Sequence, residues 1–264
     1  MPQWVDEDGK RVSLGERVGP RGGEGEIFRV QGEPAFVAKI YHQPGDASKA
    51  EKLRRLRQLA NPALAKVAAW PARCLFVADG SGRLAGFIMP LGQGRRVERL
   101  YNPRDRRQDF PRAGWDFLLH VARNCAAAFE TLHEHKVIMA DVNEGNVLVT
   151  DDGLVRLIDC DSYQVDRPNG VAMTCDVGVP LWTPPELQGR SLQGVVRTVD
   201  HDRFGLAVLI FHLLFMGRHP YAGVPLSKQP EDLPIDAAIK RGQFAFGASH
   251  PALVLRPPPH TLNL

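Results

Sequence analysis

Residues 137–165 read VIMADVNEGNVLVTDDGLVRLIDCDSYQV, and this stretch decides how the rest of the chain is read. Two short apolar runs, Val147 to Val149 and Leu154 to Ile158, flank Asp152-Gly153, a dipeptide suited to the positive φ of a tight hairpin turn. The hairpin is expected to bring Asp141, Asn146 and Asp159 together at one end. A carboxylate, an amide oxygen and a second carboxylate are hard oxygen donors, which suit Mg2+ carrying nucleotide phosphates. Asp141, ahead of the hairpin, is placed to take a proton from an incoming hydroxyl. Taken singly, each of the three also reads as a turn cap. The sequence upstream decides between the two readings.

Working outward, residues 3–14 predict a hairpin around Asp8-Gly9. A glycine-rich segment, GPRGGEGEIFRV, then leads into AFVAKIY, so the order is strand, glycine loop, strand. Gly22, Gly23 and Gly25 would let backbone N–H groups approach phosphate oxygens that any side chain would obstruct. Lys39 lies in the middle of the apolar strand, where an unpaired ammonium costs several kcal/mol and needs an anion beside it. Ala50, Leu53, Leu56 and Ala60 form one buried helical stripe after the Pro44-Gly45 break. Glu51, on that helix, is the only glutamate between Glu33 and Glu98, and a Lys39–Glu51 pair is expected. A snorkelling edge-strand lysine is the plainer alternative. Two further strands are expected at Leu75 to Ala78 and Leu84 to Leu91.

In this order the landmarks resemble the eukaryotic-like (Hanks-type) protein kinase superfamily over roughly residues 18 to 246. Gly22, Gly23 and Gly25 resemble its phosphate loop, Val37-Ala38-Lys39 its lysine strand and Glu51 the helix partner of that lysine. Asp141 with Asn146 is similar to the H-R-D-x-x-x-x-N loop, Asp159 to the D-F-G aspartate. Thr131-Leu132-His133-Glu134 resembles the end of the helix before that loop, Pro184-Pro185-Glu186 the A-P-E triplet, and Asp202-Arg203-Phe204-Gly205 the D-x-W-S opening of a long buried helix. The resemblance implies an α+β, bilobal fold: an antiparallel-sheet N-lobe with one main helix over residues 1–91, including the extra hairpin, and a mostly helical C-lobe over 92–264 that stops before its last helices. It implies ATP and Mg2+ as cofactors, with Asp141, Lys39 and Asn143 catalytic and Asn146 and Asp159 on the metal. Ile27, Val37 and Leu148 would sandwich adenine, with Met89-Pro90-Leu91 as the hinge and Met89 at the pocket's gate.

Several positions depart from the family pattern. Met139 and Ala140 replace its His and Arg, removing the arginine that docks a phosphorylated activation loop. Asn143 stands where a lysine is expected, and Val179 where a threonine would touch it. Cys160 and Asp161 replace Phe and Gly, which adds a carboxylate near the metal. Pro20 takes the first loop-glycine position, and Arg55 falls where a leucine is expected. Losing one electrostatic contact costs ~10²–10³ in rate against total accelerations of ~10⁶ or more, so an active but atypical enzyme is expected. In the family the large lobe continues past the helix read here at Ile235 to Arg241 and supplies an arginine for the A-P-E glutamate, so Glu186 is expected to be left to another partner or to residues outside this sequence.

Composition agrees with this reading and excludes others. The 264 residues carry 33 Lys+Arg against 30 Asp+Glu, a net +3 that is too small for a nucleic-acid coat. Four scattered cysteines indicate neither a disulfide framework nor a zinc site, and a cytoplasmic setting is the default. The longest apolar run, Phe204 to Met216, is short of the ~20 residues of a membrane span. Seven arginines between Arg95 and Arg112 read as a solvated surface, or as a docking patch for an acidic partner. The Pro257–Pro259 run reads as a linker. Three functions are thus in play: phosphoryl transfer to Ser/Thr hydroxyls of a protein, a nucleotide-binding pseudokinase scaffold, and a small-molecule phosphotransferase of the aminoglycoside type. A narrower resemblance, carried by IDCDSYQV and the AWP segment around Trp70, is to a bacterial group associated with a PP2C-type phosphatase and a von Willebrand-type partner.

Overall fold

The computed structural model describes residues 3–226, 233–247 and 255–257; the Pro257–Pro259 run lies outside them beyond its first residue. In chain order the elements begin with β1 (Trp4–Asp6), β2 (Arg11–Val12), β3 (Leu14–Arg17), β4 (Gly25–Val30) and β5 (Phe36–Gly45). Next come α1 (Ala47–Leu59), α2 (Pro62–Val67), β6 (Arg73–Val77), β7 (Leu84–Pro90), β8 (Arg95–Arg96), α3 (Pro103–Asp109) and α4 (Trp115–Glu134). The remainder is β9 (Val147–Val149), β10 (Val155–Leu157), β11 (Val165–Asp166), β12 (Ala172–Met173), α5 (Val199–Leu214), β13 (Val224–Pro225), α6 (Ile235–Lys240) and β14 (Leu255–Arg256). Two units result. One comprises Met1–Gln93, Arg156–Asp161 and Val165–Met173; the other comprises Gly94–Val155, Ser162–Gln164 and Thr174–Leu264. The chain therefore passes from the second unit back to the first within β10.

The first unit is built on a seven-stranded sheet in the order β2-β1-β6-β7-β5-β4-β3, and every pairing recorded between its neighbours is antiparallel. Its two outermost strands, β2 and β3, are joined by Ser13 alone, so the sheet curls until its edges meet. Val12 and Leu14, on either side of that link, pack with Val30, Ala38, Leu75 and Ile88 into one apolar cluster. The hairpin at the N-terminus makes this closure possible: Gly9 donates to the Asp6 carbonyl at 3.0 Å, and the Asp6 carboxylate accepts the Lys10 N–H at 2.9 Å. Helix α1 starts at Asp46, whose carboxylate accepts the Lys49 N–H, and buries Ala50, Leu53 and Leu56.

Register assigns the two faces of the sheet. Gly25 faces Tyr41 and Ile27 faces Lys39 across β4 and β5, while Val37 faces Met89 and Lys39 faces Phe87 across β5 and β7. Directly opposed residues share a face. Gly25, Ile27, Val37, Lys39, Tyr41 and Met89 therefore lie on one face, and Ala38 and Ile88 on the other, inside the cluster.

The second unit is mostly helical. Helix α4 buries Leu118, Val121, Ala122, Cys125, Ala128, Phe129 and Leu132, the three- and four-residue spacing of one apolar stripe. Helix α5 buries Val208, Leu209 and Leu213, with Asp202 and Gly205 at its buried start. A Cβ on Gly205 would stand 2.6 Å from Val142 Cβ, so only glycine lets the helix come this close to residues 137–146. β8 pairs antiparallel with β9, and the expected turn forms between Thr150 and Leu154. In the arginine-rich stretch, Arg95 pairs with Asp151 and Arg99 with Asp109, each at 2.5 Å. Among the described residues, no helix is long and apolar enough to cross a membrane.

Candidate active site

In the first unit, an alternating strand places Lys39 and Tyr41 side by side, two residues apart on the same face of β5. The Lys39 ammonium, with its side chain 8% exposed, donates to Asp159 Oδ1 at 2.6 Å and to both carboxylate oxygens of Asp161 at 2.9 Å. Tyr41 Oη donates to Asp161 Oδ2 at 2.8 Å. Burial works against the Lys39 charge, but Asp161 and then Asp159 more than offset it and hold the ammonium above its ordinary range. Asp161 is buried, yet Lys39 and Tyr41, both donating to it, hold its carboxyl below the usual carboxylate range. Asp159, pressed by burial and by the Asp161 charge against the pull of Lys39, is pushed up to about 6. Its backbone is left-handed, with φ at 63°, uncommon for a residue with a Cβ and frequent at functional turns.

The expected Lys39–Glu51 pair is not the one that forms. Glu51 sits on the exposed side of α1 and receives Arg167 Nε at 2.8 Å and Nη2 at 3.1 Å. The carboxylates beside Lys39 come instead from residues 159 and 161. Glu24, in the glycine segment, adds an oxygen 3.6 Å from Lys39 and another contact to Lys49 at 3.2 Å. The three glycines have different surroundings. A Cβ on Gly25 would lie 2.4 Å from the Ile40 carbonyl oxygen and one on Gly22 would lie 2.8 Å from that of Gly25, whereas one on Gly23 would meet nothing within 4 Å. Gly25 is thus required by the close approach of β4 to β5, while Gly23 faces open space. At the far end of the same face, Val37 and Met89 are buried, and Leu91 donates its N–H to the Ala35 carbonyl at 2.8 Å.

In the second unit, residues 139–146 form a loop held from below. Asp202, fully buried, accepts the Met139 N–H through Oδ2 and the Ala140 N–H through Oδ1, both at 2.8 Å, and His133 Nε2 lies 3.0 Å from Oδ2. Arg197, also buried, donates to the Ala140 carbonyl at 3.3 Å and exchanges two hydrogen bonds with the Gln164 amide. Asn146 Nδ2 donates to the Asp141 carbonyl at 3.1 Å and reaches its Oδ2 at 3.4 Å. Asn143, expected to be catalytic, caps the turn Glu144–Asn146: Oδ1 accepts the Gly145 N–H at 2.9 Å and Nδ2 donates to the Asp141 carbonyl at 3.1 Å. Leu148 follows on β9 and is partly buried.

Among the described residues no cluster of three or more His, Cys, Asp or Glu side chains stands ready to hold a metal by itself. Asn146 and Asp159 are hard oxygen donors of the kind that bind a cation arriving with phosphate oxygens of its own. Each side chain, taken by itself, is chemically suited to Mg2+ carried on a nucleotide.

Comparison with known proteins gives the family. Residues 104–241, more than half of the chain, match the family described as protein tyrosine and serine/threonine kinase. The chain belongs to the protein kinase family. It is 42% identical over 258 residues to protein kinase YegI of Escherichia coli K12, covering 97% of this chain and 39% of that protein. The kinase chain thus spans about two fifths of the length of that relative. Over 101 residues, 38% of this chain and 18% of the relative, it is 35% identical to the mouse serine/threonine-protein kinase PAK 1. Among solved structures, the ROP18 kinase domain in complex with AMP-PNP and sucrose superposes with a TM-score of 0.57 at 13% identity, covering 83% of this chain and 69% of that one. That likeness shows the fold: α+β and kinase-like.

One further kinase landmark, Glu186, has a partner that the sequence left open. Glu186 Oε1 lies 3.3 Å from Nε2 of His201, at the start of α5. His201 also accepts the Thr198 N–H through Nδ1 at 2.9 Å, completing a capping box. Tyr41 is the site residue that sequence reasoning missed, and Asp161, read there only as an added carboxylate near the metal, is a partner of Lys39. The signal available was a second aspartate two residues after Asp159 and a hydroxyl two residues after Lys39, on the same strand face.

Proposed function

We propose that the chain transfers the γ-phosphoryl group of ATP to a Ser or Thr hydroxyl of a protein. The observation that carries this reading is the buried Lys39 ammonium, held between Asp159 and Asp161 on the sheet face that also carries Gly25, Ile27, Val37 and Met89. A desolvated cation beside a glycine segment suits a triphosphate. Ile27, Val37 and Leu148 would contact adenine, and Met89-Pro90-Leu91 would supply the hinge. Asn146 and Asp159 would hold Mg2+, which when bound neutralises charge on the phosphate oxygens. Asp141 accepts the proton of the attacking hydroxyl, and Asn146 orients that carboxylate through its amide. Proton acceptance contributes ~10²–10⁴ in rate, and positioning supplies much of the remainder.

Ser/Thr preference is supported by the likeness to PAK 1 along 101 residues. A PP2C-type phosphatase and a von Willebrand-type protein as partners, and a cytoplasmic setting, rest on the sequence resemblance. The test is incubation with radiolabelled ATP, Mg2+ and casein, followed by phosphoamino-acid analysis. Label on phosphoserine or phosphothreonine that falls ~10²-fold or more in Asp141→Asn is the expected result. Equal incorporation by the two proteins overturns the reading. ATP binding without turnover indicates the pseudokinase alternative, and label appearing on kanamycin instead of protein indicates the small-molecule one.

A further inference from the structure

We infer that Asp161, with Tyr41, is the positioning residue for Lys39, the part expected of Glu51 on helix α1. The inference rests on the reading that the chain binds ATP through Lys39. Its ground is the contrast between the two carboxylates on that ammonium. Asp161 has a side chain 1% exposed and receives three hydrogen bonds, two from Lys39 and one from Tyr41 Oη. Asp159 has a side chain 32% exposed and takes one hydrogen bond from Lys39. A buried, multiply bonded carboxylate is fixed in place, whereas the more exposed one can exchange its lysine contact for other ligands. Asp161 is thus the permanent anchor, and Asp159 the carboxylate that is released when phosphate reaches Lys39.

Tyr41 is itself fixed from its other side. The Lys49 ammonium stands 4.0 Å from the centre of its ring and is tied to Glu24 at 3.2 Å. These residues belong to the strand, to the glycine segment and to the turn after Asp159. Helix α1 contributes Lys49 to the outer layer, and its one glutamate is turned to Arg167. Breaking the Glu51–Arg167 pair therefore leaves the three hydrogen bonds on Asp161 in place.

Calorimetric titration of the 264-residue chain with AMP-PNP and Mg2+ tests this, together with the kinetics of phosphate transfer. Asp161→Asn is expected to weaken AMP-PNP binding about 10-fold and to lower kcat about 100-fold, as misplacement of a positioned group does. Asp161→Glu is expected to recover part of both, and Tyr41→Phe to give a smaller effect in the same direction. Glu51→Gln, which removes a group outside this network, is expected to leave affinity and kcat unchanged. Loss of AMP-PNP binding in Glu51→Gln, or wild-type affinity and kcat in a folded Asp161→Asn, overturns the inference. Should Asp161→Asn not fold, Tyr41→Phe decides, and a Tyr41→Phe protein with unaltered affinity and kcat overturns the inference. A wild type that binds AMP-PNP but transfers no phosphate would sink the kinase reading alone, because the binding series still judges Asp161.

Discussion

Asp202 Oδ1 accepts the N–H of Ala140 at 2.8 Å, and Ala140 holds a left-handed backbone with φ at 65°. That conformation is disfavoured for a residue with a Cβ, so the loop carrying Asp141 takes its shape from the carboxylate beneath it. In Asp202→Ala two buried N–H groups lose their acceptor, at about 1–3 kcal/mol each. Urea unfolding should show a loss of about 3 kcal/mol or more, and phosphate transfer should fall with it. An Asp202→Ala protein of wild-type stability would show that the loop holds its shape unaided.

Gly25 and Gly23 should separate packing from phosphate contact. Gly25→Ala forces a Cβ to 2.4 Å from a backbone oxygen, and overpacking of that kind costs about 1–3 kcal/mol. Gly23→Ala meets open space, so stability should stay within about 0.5 kcal/mol of wild type. Thermal melts of the two variants should therefore differ in size, and identical melts would contradict the close approach of β4 to β5.

Asn143 caps the turn within the Asp141 loop instead of reaching outward. Asn143→Ala should cost about 1 kcal/mol, the usual value of a lost cap, and should lower kcat far less than Asp141→Asn does. If kcat falls as steeply in Asn143→Ala as in Asp141→Asn, the amide touches the reacting groups.

His212 sets a pH dependence of stability. Its ring lies against Tyr101, Trp182 and His219, and Glu144 Oε2 is 3.9 Å from Nδ1. Burial, and then the neighbouring His219, lowers it from 6.5 to about 4. The unfolded chain takes up this proton near pH 6.5 and the folded chain only near pH 4, so the contribution is full above 6.5 and is lost as pH falls to about 4. With 1.36 kcal/mol per unit, the loss amounts to about 3 kcal/mol. Burial also lowers His219, which steepens the same limb, while it raises Glu144, whose proton uptake favours the folded chain as pH falls and offsets part of the loss. Unfolding free energies at pH 7, 5.5 and 4.5 should converge in His212→Phe and diverge in wild type; parallel curves would assign the slope to other groups.

Much of the fold was legible because the signals are local. The Asp8-Gly9 and Asp152-Gly153 turns, the stripe of α1 and the order of landmarks all depend on residues a few positions apart. The Lys39 partner was not legible for the opposite reason. Asp161 lies 122 positions away from it, and only the pairing of β5 in the sheet and the turn after Asp159 bring the two together. Glu51 looked right by elimination, as the single acid on the helix, but helix phase puts it outside the buried stripe Ala50, Leu53 and Leu56. Asn143 likewise showed its missing lysine in the sequence, while its role as a cap depends on the turn that follows.

The single-residue link at Ser13 has a consequence for colloidal behaviour. Because β1 covers the end of β6, the backbone groups of Leu75–Val77 are not offered to a neighbouring molecule. Trimming the chain before Ser13 would bare that row of donors and acceptors on an apolar strand and create a template for strand addition between copies. The short leading hairpin thus guards the protein against aggregation as well as completing its sheet.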